Sequence, residues 1–64
     1  MKTSELIKLL KSAGCYVVRH GHRHDLWYSP ITKKQFPVGR HPNQDVAKGT
    51  ALAILKTAGI PLDS

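Results

Sequence analysis

Leu6, Leu9, Leu10 and Ala13 recur at i, i+3, i+4 and i+7, the spacing of one helix face, while Lys8 and Lys11 fall on the outer side. Thr3 or Ser4 can cap this helix, Glu5 lies in its favourable first turn, and Gly14 stops it. The period then changes. Cys15-Tyr16-Val17-Val18-Arg19-His20 is rich in β formers, and His24-Asp25-Leu26-Trp27-Tyr28-Ser29 follows as a second, aromatic-rich run. The two read as a hairpin closed at Gly21, a residue that adopts φ > 0 without a Cβ penalty. Pro30 to Lys34 supplies turn chemistry before a short third strand, Gln35-Phe36-Pro37-Val38. Pro37 has no N–H to donate, which makes that strand an edge or a poorly paired end. Gly39 to Asp45 has the composition of an ordered connection. A second helix runs from about Lys48 to Ala58, with Ala51, Ile54, Leu55 and Ala58 on one face and Leu52 widening it. Gly59 caps it and Pro61 prevents its continuation.

The order α-β-β-β-α predicts an α+β fold, a three-stranded antiparallel sheet with both helices on one face, as a single domain over residues 1–64. Double-stranded-RNA-binding domains have this arrangement, and it leaves the other sheet face and the hairpin ends free to meet RNA. A chain of this length buries only ~60% of the surface its unfolded form exposes. Its core is therefore small, and a shallow site for an exposed polymer suits it better than a deep pocket for a small metabolite.

Charge narrows the class of polymer. Ten Lys and Arg against four Asp and Glu give a formal net charge of +6 with His neutral, and the sequence pI is about 9.9. Such a surface draws in a phosphate backbone through counterion release whatever the base sequence. Cys15 is the only cysteine, so no internal disulfide staples the chain and a zinc site built on cysteines is excluded. A lone thiol suits the cytosol. The longest fully apolar run, Ala51 to Leu55, is far shorter than a membrane span, and the reading is a cytoplasmic protein without membrane contact.

Candidate chemistry concentrates in Arg19-His20-Gly21-His22-Arg23-His24-Asp25, which holds three of the four histidines. His24, early on its strand, is the candidate general acid or base, because imidazole both accepts and donates a proton near neutral pH. RNA carries its own nucleophile in the 2′-OH. A nuclease acting on it needs only proton transfer and stabilisation of the charge that grows on the phosphoryl oxygens. Arg19 and Arg23 flank the turn and can clamp phosphate, with Arg40 and the Lys33-Lys34 pair extending the positive surface. His20, His22 and His24 would form a zinc face on one continuous strand, but a turn at Gly21 makes the rings diverge, and no carboxylate cluster completes a ligand set. No metal or other cofactor is expected. Glu5, Asp25, Asp45 and Asp63 are too scattered for a two-metal mechanism. Trp27 and Tyr28 point to opposite sheet faces, one to the core and one available to stack on a base. Cys15, with no local base, reads as a buried inert thiol. His41-Pro42 reads as a structural or substrate-binding element ahead of a proton-transfer group.

Taken together, these residues resemble the HicA-type toxins of bacterial type II toxin–antitoxin systems, also called YcfA-like mRNA interferases. The resemblance spans nearly the whole chain: Ser4-Glu5-Leu6-Ile7-Lys8-Leu9-Leu10 with Ala13-Gly14, then Gly21-His22-Arg23-His24, then Val38-Gly39-Arg40-His41-Pro42. Lys48-Gly49-Thr50 and Ile54-Leu55-Lys56-Thr57-Ala58-Gly59-Ile60 complete it. It implies a double-stranded-RNA-binding-like fold and metal-independent endoribonuclease activity on mRNA. It also implies growth arrest in the free state and a cognate HicB-type antitoxin covering the active site. The family pattern of glycine, usually serine, a variable residue and histidine lands on Gly21, His22, Arg23 and His24, which makes His24 the catalytic histidine. Two positions depart from the pattern. His22 stands where serine is common, so a second imidazole is available to assist the leaving group or merely fills the site, and Cys15 stands where a large aromatic is common.

The expected function is thus a metal-independent endoribonuclease toxin that cleaves mRNA through a single histidine, with His22, Arg19, Arg23, Arg40, Lys33 and Lys34 binding RNA or stabilising the transition state. No direct DNA role is expected for the chain alone. A non-catalytic, basic RNA-binding module of the same fold is the alternative, and a small interaction domain is a third. Steep loss of RNA affinity with salt marks either RNA reading against the third.

Overall fold

A computed structural model describes residues 1–61 of the chain. It contains α1 (Thr3–Ser12), β1 (Tyr16–His20), β2 (His24–Ser29), β3 (Lys34–Gly39) and α2 (Lys48–Ala58), so the predicted order holds. The strands form one antiparallel sheet in the order β1-β2-β3. Both helices pack on one face of it. Asp63 and the end of the expected 1–64 domain lie outside the described residues. No described helix is long and apolar enough to cross a membrane.

Strand alternation decides which side chains meet the helices. Trp27, Phe36 and Val38 point inward and are buried with Leu6 and Leu10 of α1, Leu55 and Ala58 of α2, and Cys15. Tyr28 takes the opposite face, where its ring lies 5.5 Å from that of Tyr16. The open question about the Trp27-Tyr28 pair therefore resolves with Trp27 in the core. Leu9, expected in the core, is 40% exposed. At about 100° per residue, Thr3, Leu6 and Leu10 centre the buried stripe, and Leu9 falls roughly 90° from that centre. Leu52 ends on the corresponding flank of α2 for the same reason.

The helix ends are tied to the two ends of the sheet. A helix leaves its last carbonyls without intrahelical partners. At the C-terminus of α2, the buried Ser29 hydroxyl donates to the Ala58 carbonyl at 2.6 Å, and Thr32 Oγ1 donates to the Thr57 carbonyl at 2.7 Å. The β2–β3 turn, with Lys33 in the left-handed region at φ 60°, thereby serves as a cap. At the N-terminus of α1 the expected capping by Thr3 or Ser4 does not occur. The cap position is Lys2, whose N–H donates to Glu5 Oε1 at 2.8 Å. Thr3 and Ser4 instead tie down the β3–α2 connection. Thr3 N–H and Oγ1 both donate to the Gln44 carbonyl, at 2.9 and 3.0 Å, and Ser4 N–H donates to the Pro42 carbonyl at 3.1 Å.

Candidate active site

The end of the sheet opposite the β2–β3 turn carries the β1–β2 loop, Gly21 to Arg23, beside the start of the β3–α2 connection. Between them lies a cleft of about 540 Å³ lined by His22, Arg23, His24, Gly39, Arg40, His41 and Gln44. His24 is the first residue of β2 and pairs across the ladder with Gly39. The His24 ring lies beside this position: a Cβ on Gly39 would stand 3.9 Å from His24 Cδ2, at ordinary van der Waals distance.

Gly21 closes the hairpin, though not as the sequence suggested. Its φ is not in the left-handed region, where among glycines only Gly14 and Gly59 are found. The reason for glycine is proximity. Gly21 N–H donates to the His24 carbonyl at 2.9 Å, and a Cβ on Gly21 would come within 2.5 Å of that carbonyl oxygen.

Asp25 and Arg40 hold the loop in shape. Across the hairpin from Asp25 is His20, whose Nδ1–H donates to Asp25 Oδ1 at 2.9 Å. The same oxygen receives Arg40 Nε at 3.3 Å. The Arg40 guanidinium then reaches over the loop and donates to the carbonyls of both Gly21 and His22, the latter at 2.8 Å. The Asp25 side chain is only 13% exposed, so its negative charge is oriented on Arg40 rather than spent in water. Asp25 thus aligns an arginine, and that arginine fixes the loop that carries His22 and Arg23 and leads into His24.

The predicted site residues divide accordingly. His22, Arg23, His24 and Arg40 meet at the cleft, and Arg40 is engaged chiefly with the protein itself. Arg19 is not among the lining residues. It lies on β1 across the ladder from Leu26, on the far side of β2 from the cleft. Lys33 and Lys34 lie at the other end of β2, five residues along from His24, or roughly 17 Å at strand rise. A cluster of all these cations about one phosphate is therefore not what the fold builds. Asp25, Gly39 and Gln44 were not among the predicted site residues. Asp25 was detectable, since in a hairpin looped at residues 21 to 23 it falls opposite His20. Gln44 had no such signal, because it reaches the cleft only through the bonds between its carbonyl and Thr3. Among the described residues, no three His, Cys, Asp or Glu side chains come together as a set able to hold a metal ion.

Compared with known protein families, residues 3–60 match the model described as the HicA toxin of bacterial toxin–antitoxin systems. Comparison with curated proteins and with solved structures returns no match.

Proposed function

As the chain belongs to the HicA toxin family of bacterial toxin–antitoxin systems, we propose that it is a metal-independent endoribonuclease that cleaves mRNA at the His24 cleft. One observation carries this reading. The cleft gathers the imidazoles of His22, His24 and His41 with the guanidinium of Arg23, and it opens on the surface of a protein of net charge +6. Such a site supplies what cleavage of RNA by its own 2′-OH requires: a proton acceptor or donor, and positive charge beside the phosphoryl oxygens.

His24 works on the 2′-OH or on the departing 5′ oxygen, and Arg23 stabilises the negative charge of the phosphorane. The O2′–P bond forms as the P–O5′ bond breaks, leaving a 2′,3′-cyclic phosphate and a 5′-OH. DNA lacks the nucleophile, which is why RNA is the substrate. Arg40 acts behind these groups as a positioning residue. The partner is a HicB-type antitoxin that inhibits by covering the cleft, and its acidic groups complement the basic rim. The site of action is the cytoplasm, where mRNA is translated.

The test compares wild type with His24→Ala on RNA in the presence of EDTA, with product termini analysed and folding checked by circular dichroism. Expected are cyclic-phosphate ends from the wild type and none from folded His24→Ala. Equal cleavage by both moves the chemistry away from His24. Binding without cleavage by either makes the protein an RNA-binding module, and abolition by EDTA restores a metal mechanism.

A further inference from the structure

The cleft contains two further histidines, His22 and His41, that the reading above leaves idle. His41 lies two residues beyond Gly39, on the connection that forms the wall facing the His24 loop. That connection is unusually well fixed for an exposed segment. Gln44 N–H donates to the His41 carbonyl at 3.2 Å, the Pro42 and Gln44 carbonyls accept from Ser4 and Thr3 at the start of α1, and Lys2 Nζ donates to the Asn43 carbonyl at 3.2 Å. Val46 N–H closes the far end on the Met1 carbonyl at 2.7 Å. All these bonds are made by the backbone of the connection, so its side chains at 41 and 44 remain available to the cleft.

The chemistry calls for a second group. In an in-line displacement the attacking and leaving oxygens lie on opposite sides of phosphorus, so a single imidazole placed against one cannot touch the other. His22 belongs to the loop that leads into His24, two residues away, and its carbonyl is held by Arg40. His41 comes from the separate, facing segment.

Resting on the endoribonuclease reading, we propose that His41 is the general acid of the reaction, placed opposite His24 so that the scissile phosphate sits between them. His24 enters as the neutral imidazole and takes the 2′-OH proton while O2′ bonds to phosphorus. His41 enters as the imidazolium and gives its proton to O5′ as the P–O5′ bond breaks. Exchange with water then returns each to its starting form.

The experiment uses a matched pair of RNA oligonucleotides, one normal and one with sulfur in place of the bridging 5′ oxygen at the cleaved position. A thiolate leaves without needing a proton, so loss of the general acid is felt only on the oxygen substrate. Expected for His41→Ala is a roughly 10²- to 10⁴-fold loss on normal RNA and recovery to near the wild-type rate on the sulfur substrate. His24→Ala stays slow on both, and His41→Gln behaves as His41→Ala. The alanine variant keeps the backbone carbonyl that Gln44 uses, and a melting curve verifies its fold.

Wild-type cleavage with His41→Ala undiminished on normal RNA overturns the proposal. So does an equal loss on both substrates, which makes His41 a binding or structural residue, and so does sulfur rescue of His24→Ala instead, which reverses the roles. If the wild type itself leaves RNA intact, it is the endoribonuclease reading that fails.

Discussion

Gly21→Ala isolates the contact that shapes the active-site hairpin. The added methyl would lie 2.5 Å from the His24 carbonyl oxygen, well inside the closest approach real Cβ atoms make. The neighbour here is backbone, which cannot swing aside. Relief requires parting the Gly21 N–H from the His24 carbonyl, a 2.9 Å bond worth about 1 kcal/mol net, and bending the loop, at a further ~1–2 kcal/mol. Alanine recovers ~0.4–1 kcal/mol by restricting the unfolded chain. The balance is a destabilisation of about 1–2.6 kcal/mol, or a Tm lowered by roughly 4–20 °C for a domain of this size. Gly49→Ala is the matched control: nothing lies within 4 Å of its Cβ position, and it sits in α2, where alanine is the better helix former. Thermal melts by circular dichroism compare the two. Melting of Gly21→Ala within a degree or two of the Gly49→Ala protein would refute the argument that proximity, rather than backbone freedom, demands glycine at 21.

Two further substitutions test the ties at either end of the sheet. Ser29→Ala removes the donor to the Ala58 carbonyl and the acceptor of the Ile31 N–H, both at a fully buried side chain. A loss of about 1–3 kcal/mol in urea unfolding is expected, and an unchanged midpoint would show that water replaces these bonds freely. Arg40→Lys keeps the charge but cannot grip the Gly21 and His22 carbonyls and Asp25 together. Hydrogen exchange at the Gly21 to Arg23 amides is expected to speed up while the core amides stay protected. Uniform protection across both regions would remove Arg40 from its positioning role.

Much of this protein is legible in local pattern. The change from a 3.6-residue to a two-residue period at Gly14, and back again after residue 45, marks the elements, because each period reports which side of a backbone faces apolar surroundings. Pro37 announced an edge or a poorly paired strand, and β3 lies at an edge, where a residue without an N–H is tolerated. What local pattern misjudged were choices between equivalent neighbours. Leu9 and Leu6 carry the same side chain on the same helix, and only the angle at which α1 meets the sheet exposes one and buries the other. Thr3 and Ser4 are good caps, yet the helix begins one residue earlier, with Lys2 at the cap, and their N–H groups bond a connection about forty residues away.

The candidate site divides along the same line. Gly21, Arg23 and His24 are adjacent in the chain, so composition alone marked the stretch and the need for glycine, although the reason proved to be a carbonyl at close range. Arg19, Lys33 and Lys34 read as equal partners in charge. The register of the sheet sends them elsewhere, because successive residues alternate faces and the two ends of a six-residue strand are too far apart to share one phosphate. Conversely, Arg40, His41 and Gln44 reach the cleft or its loop, and Asp25 meets Arg40, only once β3 has returned beside β2 and the start of α1 has fixed the connection that follows. By itself the sequence determined the elements, their order, the basic charge and the histidine-rich turn, all properties of near neighbours on the chain. Tertiary structure decided which charges meet, which carbonyls are capped and which histidines share the cleft, because those depend on strand register and helix placement, in which distant residues become adjacent.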